Sequence, residues 1–403
     1  MLETMDREFL HFALSLYVPG FFINLGWGLV SPILPLYAES FGISYVLVGL
    51  VITSNALGRI FCDIPLGAVC DRVGRRPLAI FGPLLVTASA LLCGLAQGFY
   101  ELVLYRLITG IGMAMWMIAR QAIIADSVNP AVRGRVLGTF QGVNMIGSAT
   151  GPAIGGIIAD LWGYRAPFYF YAASTLACLV TSLLMVKESA PLIHCGTRSR
   201  IGIDLQQFLG LLSFPIVMAA LTNFTNHVRF AARATLVPLY GNDVIGLTTW
   251  EIGLVLSAST VANIATVMPG GYVVDRYGRK AGLIPAFLFS GLAFILFPFF
   301  NSLWGITIIA ILLGVASGFG GGAAMVVGVD LSPEDSRGVF MGFWQTIGDL
   351  GMVITPVALG FLADNYGWIS PFFFTAALMF VTAATTQLYV RETMKAETKK
   401  TCE

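Results

Sequence analysis

The chain has 403 residues, of which 57% are hydrophobic and 11% charged, and its formal net charge is +1. A soluble protein carries about 45–50% apolar and about 25% charged residues, so this chain has too few polar side chains to cover a water-exposed surface of its size. The composition excludes a water-soluble protein and predicts a polytopic membrane protein.

Twelve apolar runs are each long enough to cross a bilayer as a helix, which takes about 20 residues. In chain order they lie near 10–36, 46–69, 77–97, 101–126, 135–160, 165–187, 207–240, 250–274, 281–300, 303–329, 338–363 and 369–390. We therefore expect an all-α membrane protein with an N-terminal six-helix bundle (1–187), a cytoplasmic linker (188–206) and a C-terminal six-helix bundle with a short cytoplasmic tail (207–403). The first run is too long for a signal-peptide core, so we expect its helix to be retained.

The two halves of the chain repeat each other. The stretch 67–76, GAVCDRVGRR, returns in altered form at 271–280 as GYVVDRYGRK, so that Asp71 recurs as Asp275 and Gly74 as Gly278, both 204 positions later. A chain that repeats itself at about half its length consists of two copies of one module. The sequence therefore predicts two pseudo-symmetric bundles.

Basic residues indicate the orientation in the membrane. Most of the 23 Lys and Arg residues fall outside the apolar runs, in segments on the same side as the N-terminus, and the positive-inside rule makes that side cytoplasmic. We expect both termini to be cytoplasmic and the protein to lie in the plasma (inner) membrane.

These motifs resemble those of the major facilitator superfamily of secondary transporters. The stretch 67–76 is similar to the family signature between the second and third helices, and 271–280 is similar to its copy between the eighth and ninth. Arg106, with Gly110 and Gly112, resembles the fourth-helix motif. The fifth run also resembles a helix motif associated with the twelve-helix drug and metabolite proton antiporters. The residues that carry this resemblance are Gly147, Gly151, Pro152, Gly155 and Gly156.

Physical chemistry explains the residue types found in the first loop motif. Asp71 lies at the C-terminal end of a helix, where the helix dipole disfavours an anion, so it needs neighbouring arginines. Gly67 permits close helix approach and Gly74 a tight turn. The resemblance implies a conformational latch, the alternative being an ordinary basic turn. The predicted latch residues are Gly67, Asp71, Arg72, Gly74, Arg75, Arg76 and Asp126, with Asp275, Gly278 and Arg279 in the second copy.

The glycines of the fifth run recur every four residues, at 147, 151 and 155. This spacing gives one smooth helix face that another helix backbone can approach. A sealed, hinged interface that limits ion leak and plain helix packing both remain open.

Arginines inside the apolar runs raise the question of the substrate. Each costs about 2.5–3.5 kcal/mol at mid-membrane on the insertion scale, so none should face lipid without a partner. The resemblance implies that the first, fourth, seventh and tenth helices line a central cavity. We predict a substrate with an anionic or strongly accepting group beside apolar bulk, although internal pairing or snorkelling is the alternative. The candidate substrate-binding residues are Asn24, Trp27, Trp116, Arg120, Asn226, His227, Arg229 and Arg233.

A gate is predicted from charges on the second and eleventh runs. Arg59 and Asp63 are four apart on one helix and are expected to pair, and the resemblance implies that Asp349 reaches them. Two carboxylates that share one cation cannot both be fully compensated, so one is expected to carry a proton. A static brace is the alternative. The predicted gate and proton-coupling residues are Arg59, Asp63, Arg106 and Asp349.

The sequence favours a secondary transporter over the other classes of membrane protein. We find no phosphate-loop motif for a pump, and no nucleophile elbow or metalloprotease motif for a membrane enzyme, so we expect a transporter without enzymatic activity or cofactor. A non-transporting sensor of similar architecture stays open.

The favoured function is proton-coupled efflux of an amphipathic drug or metabolite by alternating access. The second is a porter for an organic or lipid-like anion, favoured because 9–37 lacks the acidic residue that many such exporters carry. Expected partners are a small-molecule substrate, protons and the lipid bilayer, without nucleic acid, and the protein is expected to be a monomer.

Overall fold

A computed structural model of the chain describes residues 2–127, 130–186, 214–332, 337–390 and 392. The description includes the side chains of these residues except those of 2–15, 64, 68, 71, 125–127, 130–135, 137, 215 and 337–339. The predicted linker, 188–206, and the side chains of Asp71 and Asp126 therefore lie outside the described residues.

Every regular element within those ranges is a helix. The α-helices are α1 (Leu2–Val30), α2 (Ile33–Glu39), α3 (Tyr45–Val73), α4 (Arg75–Leu95), α5 (Phe99–Ser127), α6 (Pro130–Trp162), α7 (Ala166–Met185), α8 (Phe214–Tyr240), α9 (Thr249–Tyr277), α10 (Arg279–Leu296), α11 (Leu303–Leu331), α12 (Arg337–Tyr366) and α13 (Ile369–Tyr389). Short π and 3₁₀ turns follow α8 and α10 at Gly241–Ile245 and Phe297–Phe299. With α1 and α2 taken as one bent span, these helices match the twelve predicted runs, and the all-α fold is confirmed.

The first span is broken, which the sequence analysis did not anticipate. α1 and α2 meet at an angle of 41° across Ser31 and Pro32. Proline has no N–H to donate and its ring clashes with the preceding turn, so an α-helix bends or ends there.

Length and hydropathy support a membrane location. In the part of the chain that the structure describes, nine helices are long and apolar enough to span a bilayer, and the bent pair makes a tenth. α6 and α8, of 33 and 27 residues, are also long enough but are not among these spans.

Cα packing divides the chain into two compact units. Unit 1 comprises Met1–Arg198 with Val237–Ser257, and unit 2 comprises Ser199–Leu236 with Ala258–Glu403. In unit 1, α5 packs against α3 and α4, and α1 packs against α6 and α7. In unit 2, α10 packs against α11 and α13. The predicted second bundle began at 207, whereas the segment Val237–Ser257 packs with the first unit.

One reason for that packing is a helix cap inside unit 1. The carboxylate of Asp160, near the end of α6, accepts hydrogen bonds from the backbone N–H groups of Thr249 at 3.1 Å and Trp250 at 3.0 Å, and from the Thr249 hydroxyl. The first N–H groups of a helix have no partner within it, and a carboxylate is favoured at that positive end. Asp160 therefore holds the start of α9.

The turns confirm the internal duplication. Among the described residues, the glycines with positive φ form three pairs that are each 204 positions apart: Gly42 and Gly246, Gly74 and Gly278, and Gly163 and Gly367. Gly74 (φ +102°) joins α3 to α4 and Gly278 (φ +100°) joins α9 to α10, each as a one-residue connection. Any other residue would be strained at these angles, so the loop motif needs glycine at this point in both copies.

Candidate functional site

A partly open cavity of about 290 Å³ is lined by residues of α1, α5 and α6 in unit 1. Two stripes of side chains form most of its wall, and both follow the i, i+3, i+4, i+7 spacing that places residues on one helix face. The lining residues are Asn24 from α1; Met113, Trp116, Met117 and Arg120 from α5; and Gln141, Asn144, Met145 and Ser148 from α6.

Arg120 is the single charged residue among those that line this cavity in the described chain. Its guanidinium carbon lies 4.8 Å from the ring centre of Trp116 and 4.5 Å from that of Phe140. Each such cation–π contact contributes about 0.5–2 kcal/mol. No described residue accepts a hydrogen bond from its buried Nε, and no acidic side chain in the described part interacts with it. Aromatic rings thus hold the cation in place while its N–H groups stay available.

Three of the uncharged polar side chains of the cavity donate a hydrogen bond within the protein. Asn24 donates its amide N–H to the backbone oxygen of Gly20 at 2.8 Å, and Asn144 donates to Gln141 at 3.4 Å. The hydroxyl of Ser148 donates to the backbone oxygen of Met145 at 3.0 Å. The Oδ1 atom of Asn144 has no hydrogen-bond partner among the described residues. These three groups still offer acceptor oxygens to a ligand, beside the second N–H of each amide.

The sequence predicted Asn24, Trp116 and Arg120 in the substrate site, and the structure brings these three together. It adds Gln141, Asn144 and Ser148, which were not predicted as site residues. Their spacing on the fifth run was readable, because 141, 144, 145 and 148 share a helix face. The sequence analysis assigned a role only to the glycines and the proline of that run.

Trp27 and Arg106 lie elsewhere in unit 1. The Arg106 side chain is 2% exposed, and its guanidinium carbon lies 5.3 Å from the ring centre of Trp27. Neither residue lines the cavity. Trp27 therefore contacts Arg106, the arginine of the fourth-helix motif. The role of Trp27 in substrate binding stays a prediction.

The polar face of α8 lies in unit 2. Arg229 is 2% exposed and donates hydrogen bonds to the Ala316 backbone oxygen at 3.2 Å, to the Ser290 hydroxyl at 3.4 Å and to the Asn226 amide oxygen. Arg233 donates to the hydroxyl of Ser259 at 2.7 Å. These bonds join α8 to α9, α10 and α11 inside the unit.

His227 also makes contacts within unit 2. Its Nδ1 lies 3.0 Å from the backbone oxygen of Asn223, and its ring packs against Gly348 of α12. The structure therefore places Asn226, His227, Arg229 and Arg233 in contacts of unit 2, and their predicted contact with substrate stays a prediction.

The second loop motif contains an ion pair. The Nε of Arg279 lies 2.8 Å from Oδ2 of Asp330 on α11, and Asp275 is exposed at the end of α9. Glu392 accepts hydrogen bonds from the backbone N–H groups of Arg279 at 2.8 Å and Lys280 at 3.2 Å, at the start of α10. Glu392 was not predicted, although Glu188 stands 204 positions before it.

The first copy of the motif is described in part. Arg72 and Arg76 are exposed and Arg75 is buried. No described atom lies within 4 Å of the position that a Cβ at Gly67 would take, so the close helix approach predicted there is not found. Asp71 and Asp126 would complete this copy, but their side chains lie outside the described residues.

The glycines of α6 lie against α1, as their spacing predicted. A Cβ at Gly151 would lie 2.6 Å from the Cα of Gly28, and one at Gly147 would lie 2.9 Å from the backbone oxygen of Phe21. Gly155 likewise meets the backbone of Leu29. Close backbone packing is therefore observed, and a role in limiting ion leak stays a prediction.

The predicted gate residues are distributed over both units. In unit 1, Arg59 is half-buried and Asp63 exposed on α3, and each has a polar or electrostatic partner. In unit 2, Asp349 on α12 is 6% exposed and accepts a hydrogen bond from Gln345 at 3.4 Å. A buried carboxylate of this kind is a candidate proton carrier.

A second cavity, of about 270 Å³, lies in unit 1 beside the Asp160 cap. Tyr164, in the turn between α6 and α7, lines it, and the pKa of this phenol is raised by burial and by the nearby carboxylates Glu39, Asp160 and Asp243. Tyr164 therefore stays neutral at physiological pH. Asp243 also accepts a hydrogen bond from the Tyr45 hydroxyl at 2.8 Å.

Comparison with known proteins agrees with this architecture. The family model described as the Major Facilitator Superfamily matches residues 16–252 and 219–401. The multidrug resistance protein MdtG of Enterobacter lignolyticus is 26% identical over 383 residues, which cover 93% of this chain and 90% of that protein. An uncharacterised transporter of the same superfamily from Methanocaldococcus jannaschii is 26% identical over 376 residues, covering 91% and 95%.

Solved structures show the same fold. A bacterial homologue of the human lysosomal transporter Spinster superposes with a TM-score of 0.79 at 16% identity, covering 95% of this chain and 96% of that one. The nucleoside transporter NupG gives a TM-score of 0.78 at 15% identity, covering 94% and 100%. The family match over nearly the whole chain, together with the duplicated helices and the paired loop glycines, shows that this integral membrane protein is a transporter of the Major Facilitator Superfamily.

Proposed function

We propose that this transporter works by alternating access and exports amphipathic drugs or metabolites in exchange for protons. The observation that carries the proposal is the cavity of unit 1, where three methionines and a tryptophan stand beside a few polar groups. Methionine side chains are flexible and polarizable, so a methionine-rich wall adapts to ligands of different shape. The similarity to MdtG, a protein named for multidrug resistance, supports export as the direction.

Proton coupling is assigned to Asp349. A buried carboxylate inside a membrane protein is costly when charged and serves as a proton carrier when it alternates between two environments. The ion pair Arg279–Asp330 acts as part of a cytoplasmic latch that opens and closes during the cycle, with Asp71 and Asp126 in the first copy. Both termini are cytoplasmic, the membrane is the plasma (inner) membrane, and the working form is a monomer.

A second function is favoured by Arg120. The cavity presents one cation and no carboxylate among its lining residues, which suits an organic anion better than an amphipathic cation. The chain is then a porter for organic anions, with Arg120 as the recognition residue and with Arg229 and Arg233 on α8 as further candidates.

Proteoliposomes containing the purified protein test both functions. A labelled amphipathic cation (tetraphenylphosphonium) and a labelled amphipathic anion (2-naphthoate) are offered with and without an imposed pH gradient. If export is coupled to protons, transporters whose cytoplasmic side faces outward should accumulate a probe in the proteoliposome lumen while protons leave it. Uptake of the anion alone, independent of the gradient, favours the second function. Binding without counterflow of either probe would indicate a sensor and contradict transport.

A further inference from the structure

Two features of the unit 1 cavity bear on the ligand: an arginine that donates to no described residue and a buried amide oxygen without a donor. Arg120 has five N–H donors and no acceptor, and no described residue is seen to accept from them. Asn24, Asn144 and Ser148 each donate one hydrogen bond to the protein, and the Oδ1 atom of Asn144 has no partner among the described residues. From these two features we infer that the ligand is a compact aromatic acid that also carries a hydroxyl or amino donor. The inference rests on the proposed transport function and names its substrate class.

The acidic group follows from the state of Arg120. Trp116 and Phe140 stabilise its charge through their ring faces but accept none of its N–H bonds. Hydrogen bonds between a guanidinium and a carboxylate are charge-assisted, and their planar, two-point geometry favours a carboxylate over a neutral amide. An amphipathic cation finds no opposite charge among the residues that line this cavity.

The donor group follows from the amides. Asn144 is 8% exposed and its Oδ1 atom has no partner among the described residues. A buried acceptor without a donor is unfavourable, by an amount comparable to a lost hydrogen bond. The amide torsion of asparagine is broad, so a small rotation directs this oxygen into the cavity that Asn144 lines. Asn24 also lines the cavity, and no described residue donates a hydrogen bond to its amide oxygen.

The inferred aromatic part of the ligand follows from the other residues that line the cavity. Trp116 and three methionines surround the polar groups, and sulfur–aromatic contacts are favourable at distances of about 5 Å. A volume of about 290 Å³ is at the lower end for small-molecule sites. It suits one or two fused rings rather than a long acyl chain.

A matched ligand series separates the two polar requirements. The probes are 2-naphthoate, its 5-, 6- and 7-hydroxy derivatives, and the amide of whichever hydroxy derivative binds most tightly. Binding is measured by tryptophan fluorescence with the full-length protein in detergent. We expect the best hydroxy acid to bind about fivefold more tightly than 2-naphthoate, as one hydrogen bond predicts. It should bind at least tenfold more tightly than its own amide, because the amide has no charge to pair with Arg120.

Variants assign each preference to a residue. Arg120→Gln should abolish the preference for acid over amide and keep the preference for hydroxyl. Asn24→Leu and Asn144→Leu should each reduce the preference for hydroxyl and keep the preference for acid. Thr150→Val, an exposed polar position on the same helix as Asn144, is the control and should change neither. The thermal midpoint of each variant is measured to confirm folding.

Failure of the inference can be separated from failure of the proposed function. Equal affinity for acid and amide in the wild-type protein, or loss of both preferences in all three site variants alike, would overturn the ligand class while transport of other probes stands. Counterflow of the best hydroxy acid in proteoliposomes supports both. The expected binding pattern without counterflow supports the ligand class and contradicts the transport function.

Discussion

Arg120 in unit 1 and Arg229 in unit 2 are both arginines within apolar helices, but their N–H groups meet different surroundings. Arg229 is almost fully buried and donates to Ser290, Asn226 and the Ala316 backbone. Arg120 lies over two aromatic rings beside a cavity and donates to no described residue, whereas Arg229 leaves only its Nε without an acceptor. The hydrogen bonds of Arg229 predict a larger role in packing, and the unbonded N–H groups of Arg120 predict a larger role in ligand binding.

The strongest test of this comparison is the stability of Arg229→Ala. The change removes three hydrogen bonds and leaves an internal void, so we expect the free energy of unfolding to fall by about 2–4 kcal/mol. Thermal unfolding in detergent measures it. Arg276→Ala is the control, because Arg276 is also an arginine of unit 2 but is exposed. Equal stability of the two variants would remove the structural role of Arg229.

For Arg120→Ala we expect a smaller loss of stability and a larger effect on transport. It breaks no hydrogen bond seen within the described part of the protein, so stability should fall by only about 1–2 kcal/mol, through the two lost cation–π contacts. The KM for transport of an anionic probe should rise about tenfold or more. A large loss of stability with an unchanged KM would reverse the assignment of the two arginines.

Asp349→Asn extends the comparison to a buried anion. If Asp349 carries the coupled proton, a pH gradient that stimulates the wild-type protein should stimulate this variant less than about twofold, because asparagine cannot release a proton. Initial rates at several lumenal pH values measure the effect. Asp364→Asn, an exposed position on the same helix, should behave as wild type. An unaltered pH profile in Asp349→Asn would exclude it as the carrier.

The smallest effect is expected for the loop ion pair, where the two copies can be compared directly. Arg279 and Asp330 are partly exposed, and such pairs couple by about 0.2–1 kcal/mol. A double-mutant cycle of thermal stabilities with Arg279→Ala and Asp330→Ala should give this value. The same cycle on Arg75 and Asp126 should match it if the first copy forms the equivalent pair. A coupling of zero in both copies would contradict a latch held by these charges.

The candidate site was predicted in part. Asn24, Trp116 and Arg120 were found because they lie on helices expected to line a cavity. Trp27, one turn beyond Asn24, contacts Arg106 instead, and Arg229 bonds to three neighbouring groups in unit 2. Helical spacing places residues on one face but does not say which helix that face meets, and that depends on rotation and packing.

The membrane location, the twelve helices and the duplication could be predicted from the sequence, because apolar length, repeated motifs and glycines needed for positive φ are properties of the chain read in order. Tertiary structure decided which arginine is bonded within the protein and which faces a cavity. A hydrogen bond requires donor and acceptor to come within about 3 Å, and residues as far apart as Arg229 and Ala316 meet at that distance only after the helices have packed.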